Sequence, residues 1–315
     1  MPKQERLLLL SDLMLLAVAV VWGTSYGIVK SALAFYPVLG LLALRFGITF
    51  VMLSPALRAL RHADARTLRG VLGAGVLLLG IFLSETFGVL RTPASNAAFL
   101  ISLCVVLTPL VEWAMLKRRP SHIEWAAVAL SLLGAWLLAG GATFALTPGD
   151  ALILLAALLR AVNVCVTKRV MQTSALPPLS VTAVQSGVAA LGSAALALAI
   201  APHHWPRVPS FTAHHMFWGS VFYLVVACTL FAFFAQNYAV KRSSPTRVAL
   251  LMGSEPAFGA LFACLWLGER ISAMAWTGGG LIVVASMLAT VRWRKSVAVQ
   301  TGTDSVPPIV MPGQS

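Results

Sequence analysis

Apolar runs of about twenty residues, the length that crosses a hydrocarbon core, follow one another along almost the whole chain. They fall at residues 11–30, 36–54, 71–90, 97–116, 123–141, 150–168, 179–200, 217–240, 247–267 and 275–292. Proline and glycine punctuate the gaps, at Pro37, Pro93, Pro120, Pro148-Gly149, Pro177-Pro178, Pro202, Pro206 and Pro245. The runs are too long for barrel strands and do not alternate between apolar and polar residues. The pattern therefore predicts ten membrane-spanning helices and no β-structure. The stretch Leu7 to Val21, behind Lys3 and Arg6, has the outline of a signal peptide. No clear small-x-small cleavage site precedes Trp22, however, and nine more runs follow, so it reads as the first span.

Composition agrees with a lipid environment. Hydrophobic residues make up 59% of the chain and charged residues 10%, against about 25% charged in soluble domains; mean hydropathy is +0.86. The net charge of +13 would suit nucleic acid, but the basic residues stand in short clusters between apolar runs, which is what membrane orientation requires. One set of alternate loops and termini carries 17 of the 23 Lys and Arg residues: Lys3, Arg6, Arg58, Arg61, Arg66, Arg69, Lys117, Arg118, Arg119, Lys168, Arg169, Lys241, Arg242, Arg247, Arg292, Arg294 and Lys295. The opposite set carries Lys30, Arg91, Arg207 and Arg270, and Arg45 and Arg160 lie inside spans. This split places both termini in the cytoplasm and makes the number of spans even. Cys104, Cys165, Cys228 and Cys264 sit inside apolar runs without a CxxC pair, and read as small buried residues rather than disulfides or metal ligands.

The chain also repeats itself. TPASNAAFLISLCVVLTPLVEWAMLKRRPSHIEW from Thr92 lies over SSPTRVALLMGSEPAFGALFACLWLGERISAMAW from Ser243, at an offset of 151. The same offset pairs Glu85 with Gln236 and Arg91 with Arg242. At a smaller offset, DLMLLAVAVVWGTSYGIVK from Asp12 lies over DALILLAALLRAVNVCVTK from Asp150, pairing Trp22 with Arg160 and Ser25 with Asn163. Each half carries five spans. Five is odd, so the second copy enters the membrane upside down, as Lys30 outside and Lys168 inside also indicate. Inverted repeats are the architecture of many secondary transporters, in which exchanging the shapes of the two copies converts an outward-open into an inward-open state. The predicted organisation is a cytoplasmic N-terminus (1–10), a first repeat (11–141), a second repeat (150–292) and a disordered cytoplasmic tail (293–315).

The stretches WGTSYGIVK (22–30), Arg45-Phe46, TPASNAAFL (92–100) and GSEPAFGALFACLWLGE (253–269) resemble the EamA-type transporters of the drug/metabolite transporter superfamily. The resemblance covers about residues 12–292 and implies ten helices around a central cavity between the halves, cytoplasmic termini in the cell inner (plasma) membrane, and export of amino acids, metabolites or drugs. The first copy departs from the second where its fourth span ends: Arg118 stands where the second copy has Glu269, as inversion would require.

A polar group at membrane depth costs about 2.5–3.5 kcal/mol and needs a partner or a wet cavity. Trp22, Tyr26, Arg45, Glu85, Arg160, Asn163, Gln236 and Glu255 are the candidate cavity residues. Trp22 and Tyr26 are one turn apart on one helix face. Arg45 is read as facing the cavity or pairing with a carboxylate such as Glu255, which precedes the helix-bending Pro256. Arg45 or Arg160 would hold an anionic or zwitterionic solute by bidentate contact. Glu85 and Gln236 are read as polar plugs, one at each gate. Glu112 is read as interfacial, and His203, His204, His214 and His215 as a solvated loop, since their spacing is not that of a metal site.

No GxxxxGK[ST] motif supplies ATP drive. The expected partners are a small organic solute and the lipid bilayer, with proton coupling through Glu85 or Glu255 open beside uncoupled facilitation, and with no cofactor and no nucleic acid. A membrane-embedded enzyme acting on lipid-linked substrates would need clustered Asp and His, and DxxD, HxxxH and HExxH are absent. A channel-like facilitator lacks support from any repeated filter sequence.

Overall fold

The computed structural model describes residues 3–92, 94–140, 147–200, 207–267 and 272–302. All regular structure among them is helical. The elements are α1 (Lys3–Leu33), α2 (Val38–Leu53), α3 (Ala65–Val89), α4 (Ala94–Ser102), α5 (Cys104–Leu116), α6 (His122–Leu138), α7 (Pro148–Thr173), α8 (Pro178–Ile200), α9 (His215–Val225), α10 (Ala232–Arg242), α11 (Pro245–Met252), α12 (Glu255–Leu267) and α13 (Ala273–Gly302). A 3₁₀ segment, Ser54–His62, extends α2, and a π-helical segment, Val226–Phe231, joins α9 to α10. Among the described residues, eight helical stretches are long and apolar enough to cross a membrane, and His122–Leu138 is a shorter apolar helix.

Local sequence explains the ends. Asp64 caps α3 by accepting from the Thr67 N–H, and Ser121/Glu124 and Thr147/Asp150 form capping boxes at α6 and α7. α1 begins at Lys3, inside the segment read as a cytoplasmic N-terminus, because no breaker separates Glu5 from the apolar run. α13 continues past the predicted span to Gly302; the rest of the predicted tail lies outside the described residues.

Two predicted spans are interrupted. Run 97–116 breaks at Leu103, between α4 and α5, and run 247–267 breaks at Gly253 and Ser254, between α11 and α12. Pro256 accounts for the second break, since it has no N–H to bond the carbonyl one turn back. The Ser254 carbonyl instead starts a new helix, accepting from Ala257 and Phe258. At the repeat offset, the two breaks coincide.

The most extensive helix packing pairs α6 with α13, α3 with both α7 and α8, α2 with α8, α5 with α7, and α1 with both α10 and α12. At two crossings, glycines let backbones touch. A Cβ on Gly23 would lie 2.6 Å from the Glu255 carbonyl oxygen and 2.8 Å from the Gly259 nitrogen. A Cβ on Gly278 would lie 2.5 Å from the Gly134 carbonyl oxygen and 2.6 Å from the Leu138 nitrogen. Such small-residue contacts are how helices approach in lipid. Gly278→Ala is expected to cost about 1–3 kcal/mol, as overpacking does. Gly280→Ala, with nothing within 4 Å of its Cβ, should be neutral. Thermal unfolding in detergent checks the pair, and equal melting temperatures for the two variants would refute the tight crossing.

Candidate functional site

One cavity lies between α1, α2, α3, α5, α7, α10 and the α11–α12 break, with about 1420 Å³ of space, its open mouth included. At one end its lining reaches Lys30, Leu33 and Leu90, near the ends of α1 and α3. At the other end the helices converge on an apolar cluster of Leu15, Val164, Ala239, Val240, Val248 and Leu251.

Beyond that cluster, polar contacts tie the helices together. Arg247 on α11 meets Asp12 on α1 at 3.1 and 2.5 Å and donates to the Ala289 carbonyl on α13 at 2.8 Å. Lys168 on α7 donates to the Val240 and Ser243 carbonyls at 2.9 and 2.8 Å, and Lys241 donates to the Leu176 carbonyl at 3.0 Å. Glu112 on α5 accepts from the Thr246 N–H at 2.9 Å and from the Thr246 hydroxyl.

Seven of the eight predicted residues line this one cavity: Trp22, Arg45, Glu85, Arg160, Asn163, Gln236 and Glu255. Tyr26 lies on α1, and its side chain is outside the described residues. The centre is Trp22. Its indole N–H donates to the Cys228 carbonyl at 3.0 Å, and its ring stands 5.5 Å from Phe233. The Arg160 guanidinium lies 4.8 Å over the same ring and 3.6 Å from the Glu255 carboxylate. Glu255 opens α12, where the positive end of the helix dipole favours an anion.

Arg45 does not pair with Glu255, contrary to one sequence expectation. Its Nε donates to the Thr229 hydroxyl at 2.5 Å and its Nη2 to the Cys228 carbonyl at 3.0 Å, with Phe82 and Phe46 flanking it at 4.9 and 5.3 Å. The cause is the π-helical segment, in which Thr229 donates back to the Leu224 carbonyl at 2.7 Å and the Cys228 carbonyl receives both Trp22 and Arg45. Glu85 and Gln236 share the one cavity.

Three residues outside the predicted set close the far end. Glu112, read as interfacial, is buried, and Asp12 and Arg247 were not singled out. A signal for Asp12 was present: it aligns with Asp150, and Asp150 accepts from the Thr92 hydroxyl just before α4, as Asp12 accepts from Arg247 in α11. Among the described residues no group of His, Cys, Asp and Glu is arranged to hold a metal; His203 and His204 lie outside them.

The sequence profile of the EamA-like transporter family matches residues 9–140 and 147–291. An "Uncharacterized transporter" of Archaeoglobus fulgidus is 26% identical over 292 residues, 90% of this chain and 87% of that protein. The "Uncharacterized inner membrane transporter YedA" of Escherichia coli is 24% identical over 283 residues, 88% and 89% of the two chains. A "Probable terminal-alkyne amino-acid exporter" of Streptantibioticus cattleyicolor is 24% identical over 278 residues, 87% and 91%. One crystal structure superposes with a TM-score of 0.72 at 21% identity, covering 91% of this chain and 98% of the other, and shares the fold.

Proposed function

The chain belongs to the EamA-like transporter family, and from that premise we propose that it exports small organic solutes across the inner membrane by alternating access. Family membership makes it a transporter and not an enzyme. The observation that carries the finer reading is a mainly apolar cavity between the halves that holds a few polar and charged side chains, reaching one end of the bundle and closed at the other by the apolar cluster. With the termini in the cytoplasm, as the Lys and Arg split indicates, the sealed end is the cytoplasmic one.

Ten spans in two inverted repeats are supported by how the helices exchange partners. The repeat maps α3 onto α9–α10 and α7 onto α1, and the α3–α7 contact has its counterpart in α10–α1. Likewise α5–α7 maps onto α12–α1, while α2–α8 and α6–α13 map onto themselves. The coincident breaks and the Asp12 and Asp150 contacts follow the same exchange.

Within the cavity, Arg160 and Glu255 form an ion pair at 3.6 Å, longer than an optimal charge-assisted bond. Such a pair offers a cation to a solute carboxylate and an anion to a solute amine. The exporter of S. cattleyicolor, named for amino acids, makes amino acids the first solutes to test. Arg45, held by Thr229 and the Cys228 carbonyl, serves instead to position Trp22. Glu85 and Glu255 are the groups through which protons would couple.

Counterflow in proteoliposomes with a panel of amino acids, metabolites and drugs tests the reading. Exchange of a carboxylate-bearing solute is expected, and Arg160→Ala should slow it at least about tenfold, the effect of one charge-assisted hydrogen bond. No counterflow with any solute would sink the transport mechanism. Wild-type exchange by Arg160→Ala would remove Arg160 from solute contact.

A further inference from the structure

Buried amides are hydrogen-bonded almost without exception, and this chain satisfies those it uses for packing. Asn237 donates to the Thr182 hydroxyl at 2.9 Å and to the Gln185 carbonyl oxygen at 3.1 Å. Two other buried amides, one on α7 and one on α10, behave differently. Asn163 and Gln236 are 4% and 7% exposed, and their side-chain carbonyl oxygens are enclosed with no hydrogen-bond partner. Both residues line the cavity.

Their level is set by helix spacing. Asn163 follows Arg160 by three positions on α7, and Gln236 follows Phe233 by three on α10. Both helices run towards the sealed end, where Lys168 and Lys241 make their contacts. The two amides therefore stand about one turn beyond the Arg160–Trp22–Phe233 layer. Val164, Ala239 and Val240 of the apolar closure lie immediately past them. The residues that line the deepest part of the cavity thus carry two enclosed acceptor oxygens with no partner, and the nearby Arg160 contact brings the Glu255 carboxylate to the layer above.

We propose that Asn163 and Gln236 form a subsite at the closed end of the cavity that receives the protonated amine of a transported solute, with Glu255 as its counter-charge. The subsite rests on the transport reading. Two carbonyl oxygens and a carboxylate repel an anionic head and match N–H donors. An enclosed acceptor left unmet is costly, so a donor entering here gains more than it would at a water-exposed oxygen. The repeat strengthens the assignment: the counterparts of Asn163 and Gln236 are Ser25 and Glu85, which also line the cavity. Exchange of the two shapes would offer an amine polar acceptors from either half.

The test uses the full chain in lipid nanodiscs at neutral pH. Three ions are titrated while the melting temperature is followed: n-butylammonium, tetramethylammonium (the same charge with no N–H) and butyrate. Butylammonium is expected to raise the melting temperature saturably, and the other two are not. Asn163→Leu and Gln236→Met should each raise the half-saturating concentration at least about tenfold. Gln236→Glu, which keeps an acceptor and adds charge, should lower it. An equal response to tetramethylammonium overturns the subsite, as does wild-type saturation in both apolar variants. Where those variants fail to fold, a Gln236→Glu protein that binds no more tightly overturns it. Counterflow of butylammonium separates the two readings. Saturable binding of butylammonium with no counterflow of it or of any solute in the panel sinks transport and leaves the amine site; butylammonium counterflow indifferent to both amides sinks the subsite and leaves transport.

Discussion

Arg247→Ala is expected to destabilise the protein by about 3–5 kcal/mol, the cost of stranding one partner of a buried ion pair. Arg247 and Asp12 are 4% and 9% exposed and joined by two hydrogen bonds in the planar, bidentate manner that only arginine provides. The same guanidinium donates to the Ala289 carbonyl, so one side chain holds α1, α11 and α13 together. Alanine removes the ion-pair partner that the Asp12 carboxylate has among the described residues. Arg247→Lys would keep the charge and lose the fork, giving an intermediate loss. Replacing both partners by apolar residues, as in Asp12→Leu with Arg247→Met, should recover most of the stability, because the desolvation of both charges disappears together. Unfolding midpoints in mild detergent measure all four variants. A single-variant loss under about 1 kcal/mol, or a double variant as weak as the single, would show that the pair is solvated rather than structural.

The same contact bears on function. It lies beyond the apolar closure of Leu15, Val164 and Val240, on the face that would part for the opposite state under the proposed alternating access. Weakening it should favour opening there, and the buried Cys165 on α7 is a native reporter. Maleimide labelling of Cys165 is expected to speed up in Arg247→Ala and to return towards wild type in the double apolar variant.

Much of this was legible from apolar run length and Lys/Arg placement, because lipid imposes both on any polytopic chain. The interruptions in runs 97–116 and 247–267 were less so. Pro256 signals a bend, but Leu103 carries no breaker, and only comparison of the halves marks it. Clustering of the candidate residues around one cavity followed from the cost of intramembrane polarity, which forces Arg45, Arg160 and Glu255 inward whatever their partners. Pairing was another matter. Arg160 and Glu255 lie in different helices, and nothing in a single sequence sets their distance. Arg45 faces the cavity, one of its two readings, but its partners, Thr229 and the Cys228 carbonyl, were not legible because VACTLF gives no sign of a π-helix. Glu112 was misjudged from its position near a span end. Depth along a helix locates a residue relative to the membrane surface but says nothing of which neighbour covers it.

Glu112→Ala is the second change expected to cost about 3–5 kcal/mol. Glu112 is 1% exposed and sits against the start of α11, where Pro245 at the first position and Ser244 at the cap leave the Thr246 N–H pointing out of the helix. The carboxylate accepts that N–H at 2.9 Å and the Thr246 hydroxyl beside it, which is the helix-terminus geometry that favours an anion. Arg118 lies 3.2 Å away and bonds Glu124 at 2.6 Å. Burial pulls the Arg118 guanidinium down, but Glu112 and Glu124 outweigh it and hold its pKa above the ordinary value. Removing the carboxylate strands a buried backbone donor and the hydroxyl, and leaves Arg118 with Glu124 alone. Glu112→Gln keeps one acceptor without charge and should lose about 1–2 kcal/mol, and Thr246→Val, which deletes only the hydroxyl, about 1 kcal/mol. A double-mutant cycle between Glu112→Ala and Thr246→Val then isolates the shared bond, with a coupling within about 0.5–3 kcal/mol, the range for residues in contact. A glutamate reaching out to water at the membrane surface would give almost no loss and no coupling. The cycle therefore decides between an interfacial Glu112 and one that fastens α5 to α11 at the closed end of the cavity.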